Sequence, residues 1–248
     1  MRTDKLALRV GVVIPCFNEE GNLDAMVEAF LPHREALPVD LLFVNDGSVD
    51  KSGEILARLS SMHPWVRVVT HPRNLGLAAA LKTGWGFATS EKYDLIGQMD
   101  CDLTHPISLL AEMVRAIDGV DMVVASRYVP GGGMKNVPTW RVALSVLGQQ
   151  VFRFVFRLRT RDTTSGFRLT RRRVFEAVRL EADSFQIQLE LTLRSERRKF
   201  KIRELPFVLE NRRVGVSKFR LSMGTRYLVL MYRELARELR EAFGGSRA

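Results

Sequence analysis

The chain predicts an α/β fold: a mainly parallel sheet flanked by helices, with amphipathic helices in the C-terminal part. Three observations carry that expectation. Short apolar, β-branched runs alternate with helical patterns through the first half. The runs are apolar along their length, as strands covered on both faces are. Polar residues follow each run, at the strand ends where ligands of such sheets bind.

The elements follow in order. Strands are predicted at Val10–Pro15, Leu41–Asn45, Val66–Val69, Asp94–Met99 and Met122–Ala125. Helices are expected between them, at about Asn22–Leu37, Lys51–Met62, Leu77–Thr89 and Ile107–Ile117. The five strand ends carry Asn18-Glu19-Glu20, Asp46-Gly47-Ser48 with Asp50, Arg73-Asn74 with Gly76, Asp100-Cys101-Asp102, and Ser126-Arg127-Tyr128. One rim thus gathers the chemistry.

Past Arg127 the pattern changes. Pro130-Gly131-Gly132-Gly133 predicts a flexible loop. Trp140, Leu144, Leu147, Val151, Val155 and Leu158 then recur at three- and four-residue spacing, predicting an amphipathic helix over Thr139–Leu158. Its other side carries Arg141, Ser145, Gln149, Arg153 and Arg157, and a second basic cluster follows at Arg168 and Arg171-Arg172-Arg173. A helix near Gln186–Arg198, a strand near Lys201–Leu209, a loop over Asn211–Lys218 and a terminal amphipathic helix from about Leu221 to Phe243 complete the chain.

Composition narrows the function. The chain has 248 residues, enough for a full core. Its two cysteines, Cys16 and Cys101, imply neither a disulfide framework nor a zinc site, and suit a reducing compartment. No apolar stretch approaches the roughly 20 residues of a spanning helix, and the N-terminal run is no signal peptide. A cytoplasmic chain touching a membrane peripherally is expected. Charge is uneven: residues 1–125 hold 11 basic and 17 acidic residues, a net of −6, whereas residues 126–248 hold 27 and 11, a net of +16. The second half expects an anionic partner. Nucleic acid would satisfy the charge, but no helix-turn-helix, zinc or RNA-stacking signature accompanies it.

Asp100 and Asp102, at i and i+2 after a strand, can converge on one hard cation whose remaining ligands come from a substrate diphosphate. Taken alone such a pair is also a common loop feature, with Asp102 as a helix cap. Likewise Gly47 and Ser48 suit a tight turn with a cap, and Glu19 a helix first turn.

Jointly, several segments resemble the family 2 glycosyltransferases, which have the GT-A fold. They are Val13-Ile14-Pro15-Cys16-Phe17-Asn18-Glu19-Glu20, Val44-Asn45-Asp46-Gly47-Ser48 with Asp50, Asn74-Leu75-Gly76, and Gln98-Met99-Asp100-Cys101-Asp102. Ala125-Ser126-Arg127-Tyr128, Thr164-Ser165-Gly166-Phe167-Arg168, Glu204-Leu205-Pro206 and the Arg212, Gly215, Ser217, Lys218 pattern resemble the polyprenol-phosphate hexosyltransferase branch, which includes the dolichol-phosphate mannosyltransferases. The resemblance covers about residues 8–220. It implies a GT-A domain over 1–220, with a nucleotide-sugar half (1–128) and an acceptor half (129–220), and a terminal amphipathic helix with its tail over 221–248.

It also implies roles. Pro15, Phe17, Glu19, Val44 and Asp46 would line the nucleoside pocket. Asp100 and Asp102 would hold Mg²⁺ or Mn²⁺, with Cys101 alongside the nucleotide. Arg127, Arg141, Ser145 and Arg212 would surround an acceptor phosphate, and Lys218 would sit on a closing loop. The partners implied are a nucleotide-sugar donor such as GDP-mannose, a polyprenyl- or dolichyl-phosphate acceptor, a membrane surface, and a membrane-anchoring protein. UDP-glucose or a different acceptor is the alternative. The chain departs from the family at Asn45, Cys101, Thr104 and Gln188, where relatives often carry Asp, Ala, Gln and Glu. These departures bear on donor identity rather than on the metal carboxylates.

Overall fold

The computed structural model describes residues 8–210, 229–234 and 236. The first half alternates as expected: β1 (Val10–Cys16), α1 (Leu23–Phe30), β2 (Val39–Asn45), α2 (Ser52–Met62), β3 (Val66–Thr70), α3 (Leu77–Ser90), β4 (Leu95–Gln98), α4 (Ile107–Ala116) and β5 (Met122–Ser126). The second half adds β6 (Gly133–Lys135), α5 (Thr139–Phe156), β7 (Arg168–Arg171), α6 (Arg172–Ala177), α7 (Ile187–Arg197), β8 (Ile202–Pro206) and β9 (Val208–Glu210). Seven strands form one sheet in the order β3-β2-β1-β4-β7-β5-β8, and β6 pairs with β9 in a small second sheet.

Both sheet faces are covered, which explains the unbroken apolar runs. Along β1, Val10, Val12, Ile14 and Cys16 point into a layer shared with Leu23, Met26 and Phe30 of α1, Leu56 of α2 and Leu110 of α4. Val13 points the other way, to Leu81 and Trp85 of α3 and Ile187 and Leu191 of α7. The α3 layer sits so close that a Cβ on Gly84 would collide with Val13. A third small cluster joins Phe156 and Leu158 to Leu189, Leu193 and Leu230.

All strands of the large sheet run in one direction except β7, which is antiparallel to both β4 and β5. Strand β5 is therefore aligned with β1–β4, and the five polar strand ends do share a rim.

Two expectations about elements are corrected. The first helix ends at Phe30, and Leu31–His33, with Pro32, tightens into a 3₁₀ turn. The strand expected over Lys201–Leu209 breaks at Phe207, whose ring is buried edge-on to His105 and Phe167 while the chain crosses to β6. The arginines of the cluster Arg168 and Arg171-Arg172-Arg173 all have partners within the fold. Arg168 is buried, Arg171 bonds the Val120 and Ile117 carbonyls, Arg172 pairs with Glu176, and Arg173 pairs with Asp121. Within the expected terminal helix, residues 229–234 and 236 are helical. Glu234 there is buried against Arg194 and Arg197.

Candidate active site

The rim is built from two loops locked together. After β1, the Asn18 N–H donates to Ser48 Oγ (3.0 Å), and its side-chain oxygen accepts the Val49 N–H (2.9 Å). Asp50 accepts the N–H groups of Glu20 and Ser52. The polar motifs around Asn18 and Ser48 are thus mutual braces. Gly47 is the necessary turn residue: its φ is +66°, and a Cβ there would collide with the Arg73 backbone. This frame holds Pro15, Phe17 and Glu19 half-buried at the rim, with Glu19 accepting a bond from Asn22 Nδ2 (2.6 Å).

Asp46 is buried and heavily engaged. It accepts His71 Nδ1–H (2.7 Å), Leu75 N–H (2.9 Å) and Gly76 N–H (2.8 Å). His71 Nε2 in turn lies 2.9 Å from Thr83 Oγ1 on α3. A carboxylate offers about four lone-pair sites, so Asp46 chiefly shapes the 71–76 loop. Val44 has no exposed surface and packs in the α3 layer; it backs the rim rather than lining a pocket.

Asp100 and Asp102 leave β4 on a turn. The Asp100 N–H donates to His105 Nδ1 (3.0 Å), which places the imidazole proton on Nε2, 3.9 Å from Asp100 Oδ2. His105 is itself stacked on Phe167, with ring centroids 4.6 Å apart. Asp102 Oδ1 accepts the Thr104 hydroxyl (2.6 Å) and N–H (3.2 Å). Cys101 between them is buried beside Cys16, and the contact with that thiol, together with burial, pushes its pKa well up.

Opposite Asp100 sits Gly166, on the loop entering β7. A Cβ there would lie 3.5 and 3.9 Å from the two Asp100 carboxylate oxygens. The glycine leaves the part-exposed Asp100 carboxylate uncovered, with Gln98 Nε2 also nearby, and Asp100 and Asp102 offer hard-oxygen donors of the kind that Mg²⁺ and Mn²⁺ take. Among the described residues no three His, Cys, Asp or Glu side chains form a closed metal site. The residues fit a cation that draws other ligands from a diphosphate.

The acceptor-side residues meet around the same loop. Arg127 forms a bidentate pair with buried Asp162, through Nε and Nη2 at 2.8 Å each, and also donates to Thr164 Oγ1 (3.1 Å). Asp162 further accepts the Arg127 N–H, and Glu204 holds the 161–162 backbone. One edge of the Arg127 guanidinium, Nε and Nη2, is therefore taken up by a carboxylate. Tyr128 bridges to Ser145, with oxygens 2.6 Å apart. Burial raises the Tyr128 pKa against the pull of Arg127, so its hydroxyl stays neutral. Gln149 bonds Thr163 and Thr164. Arg141, one turn before Ser145, is exposed beside the Trp140 ring. Arg212 and Lys218 lie outside the described residues.

Beneath this loop Arg168 is buried, donating to the Ser165 carbonyl, the Gln188 carbonyl and Thr192 Oγ1. Burial lowers its pKa to about 10, with Asp162 opposing the change, so the group remains a cation at neutral pH. Asp162, Tyr128, Gln149 and Arg168 were not singled out as site residues by sequence reasoning. The alternation Phe167-Arg168-Leu169-Thr170 was a strand signal that could have placed the loop before it on the rim.

The fold and rim are those of a GT-A glycosyltransferase, and the comparisons agree. Residues 11–179 match the family described as glycosyl transferase family 2, and the chain belongs to that family. It is 35% identical over 215 residues to the polyprenol monophosphomannose synthase of Mycolicibacterium smegmatis, covering 85% of this chain and 80% of that one. It is 32% identical over 229 residues to the dolichol-phosphate mannosyltransferase of Pyrococcus furiosus, covering 91% of this chain but 63% of that one. Among solved structures, the fold matches glucosyl-3-phosphoglycerate synthase from Mycobacterium tuberculosis in complex with Mn²⁺, UDP and glucosyl-3-phosphoglycerate. The TM-score is 0.62 at 18% identity, covering 96% of this chain and 81% of that one.

Proposed function

We propose that this glycosyltransferase moves a hexose, mannose from GDP-mannose, onto a polyprenyl or dolichyl phosphate at the cytoplasmic face of a membrane. The carrying observation is that one loop touches both sides of the rim: Gly166 stands beside Asp100, while Asp162 and Thr164 hold Arg127 next to the Tyr128–Ser145 bond. The relatives named as mannosyltransferases of lipid phosphates support the acceptor and the sugar.

The residues divide the work. Pro15, Phe17 and Glu19 wall the nucleoside side, while Asp46 fixes the loop beside it. Asp100 and Asp102 would hold Mg²⁺ or Mn²⁺, which supplies charge neutralisation to the leaving diphosphate. The acceptor phosphate oxygen is already anionic and needs no side-chain base. It needs placement beside a second anion, which suits arginine forks. Arg141 and Arg212 take that role, Ser145 offers a hydroxyl, and the Arg127–Asp162 pair holds the corner rigid. In-line attack inverts the anomeric centre. The membrane contact is peripheral, through the exposed apolar side of α5, with room for a separate anchoring protein.

UDP-glucose is the competing donor; glucose as the sugar is favoured by a bactoprenol glucosyl transferase of Shigella phage SfV, 31% identical over 123 residues, which cover 48% of this chain and 39% of that one. Purified protein, Mg²⁺ or Mn²⁺ and a short-chain polyprenyl phosphate, assayed with GDP-mannose against UDP-glucose, decide between them. Turnover of neither donor would overturn the proposal. Asp102→Asn is expected to lower transfer at least about 100-fold without changing the melting temperature; unchanged turnover would remove the metal assignment.

A further inference from the structure

Three buried aromatic rings join the loops of the rim. His105 stacks on Phe167 with centroids 4.6 Å apart, Phe207 meets His105 edge-on at 5.6 Å, and Phe167 and Phe207 cross edge-on at 6.0 Å. Each ring belongs to a different part of the site. His105 closes the turn that carries Asp100 and Asp102. Phe167 follows Gly166, and its carbonyl accepts the Ala125 N–H. Phe207 donates its N–H to the Ser126 carbonyl, next to Arg127.

Stacking of this kind needs only a flat ring, and phenylalanine would supply one. What calls for histidine is the Asp100 N–H, which His105 Nδ1 accepts at 3.0 Å. That bond closes a turn in which Leu103 has a φ of +58°. A leucine holds such a conformation only where its surroundings enforce it. The other brace of the turn is Thr104, whose N–H and hydroxyl both donate to Asp102 Oδ1. Each carboxylate residue of the turn thus has its own brace, and the brace on Asp100 continues through the ring stack into the loop of Gly166. Without Nδ1 the Asp100 N–H would have to turn toward another acceptor, carrying its carboxylate away from Gly166.

We propose that His105 is a positioning residue for transfer: its Nδ1 sets Asp100, and its ring ties that setting to the Gly166 loop through Phe167. The inference rests on the reading of Asp100 and Asp102 as cation ligands given above. It deepens that reading by naming what keeps the donor side and the acceptor side of the rim in one frame. Groups that hydrogen-bond the residues around a metal commonly change its affinity by about 10- to 100-fold when removed. Losing the Nδ1 acceptor should therefore weaken Mn²⁺ binding about tenfold.

Two substitutions separate the ring from its acceptor atom. His105→Phe keeps a ring and loses the acceptor, whereas His105→Asn keeps an oxygen near the place of Nδ1 and loses the ring. The full chain is titrated with Mn²⁺ in the presence of GDP, following the free-ion EPR signal. Melting temperature and amide exchange are measured without metal. His105→Phe should weaken Mn²⁺ binding about tenfold and speed exchange of the Asp100 amide. His105→Asn should recover most of that affinity yet melt lower than His105→Phe, with faster exchange over 163–167 and a higher KM for polyprenyl phosphate. That crossing, in which the variant that melts higher binds metal worse, cannot come from stability alone. Wild-type Mn²⁺ affinity and Asp100 exchange in His105→Phe would reduce His105 to a core ring and overturn the proposal. Equal loss of affinity in both variants would overturn it too. A wild type that binds no Mn²⁺ with either GDP or UDP defeats the metal reading alone, and the exchange rates at Asp100 and over 163–167 then decide the positioning role.

Discussion

Asp162 is fully buried, and its carboxylate is met by the Arg127 fork and backbone, with Arg168 close enough to feel its charge. Removing one partner of such a pair strands a buried charge. Asp162→Asn is expected to cost about 3 kcal/mol, read as a lower urea midpoint, with Asp162→Ala at least as damaging. An unchanged midpoint would mean that Arg127 finds another acceptor. Gly166 makes the opposite kind of prediction. A methyl group there meets Asp100 at ordinary contact distance, so Gly166→Ala should fold normally yet crowd that carboxylate. The metal concentration giving half-maximal transfer should rise several-fold while the melting temperature stays the same. A fall in stability with normal metal dependence would place the glycine's role in packing instead.

At the scale of elements, β7 and α5 decide most. Because β7 runs against its neighbours, its beginning rather than its end reaches the rim. The loop from Asp162 to Phe167 is thereby delivered to Asp100. Helix α5 contributes little to the main core: Phe156 at its end is buried, while its central apolar residues face outward. Apolar side chains left exposed in a row mark an interaction surface. Trp140→Ser with Phe154→Ser should reduce vesicle binding about tenfold or more and leave the melting temperature within a degree or two. A large loss of stability would show that the stripe is covered within the folded chain.

At the scale of the whole molecule, the division of charge becomes a division of tasks. The half with net −6 supplies Asp100 and Asp102, and the half with net +16 supplies the arginines of α5 and the loops around it. Not all of that excess is available to a partner. Arg127, Arg168, Arg171, Arg173, Arg194 and Arg197 are committed to carboxylates or carbonyls inside the fold. The free remainder should make membrane association strongly dependent on ionic strength, since exposed charges are screened within about 8 Å at physiological salt. Raising NaCl from 50 to 500 mM should weaken vesicle binding far more than it raises the KM for the nucleotide sugar. Equal sensitivity would point to the donor as the main anionic partner.

Local chemistry made part of this legible in the sequence. Five apolar runs, each followed by polar residues, were enough to place five strands and their common rim, because strand burial and turn chemistry are short-range signals. Asp100 and Asp102 stood out for the same reason. A short strand such as Arg168–Arg171 did not, since charged side chains every second or third residue read as surface until a partner strand is placed on either side. Asp162 gave no signal, because its importance lies in neighbours far along the chain, and Gln149 stood out only as part of the polar side of its helix. What the sequence alone determined, then, is the fold class, the carboxylates after β4 and the imbalance of charge. Only the tertiary structure decided which arginines are spent on buried carboxylates, that Cys101 is buried beside Cys16, and that Gly166 stands opposite Asp100. Those are matters of long-range pairing and burial, which local composition does not encode.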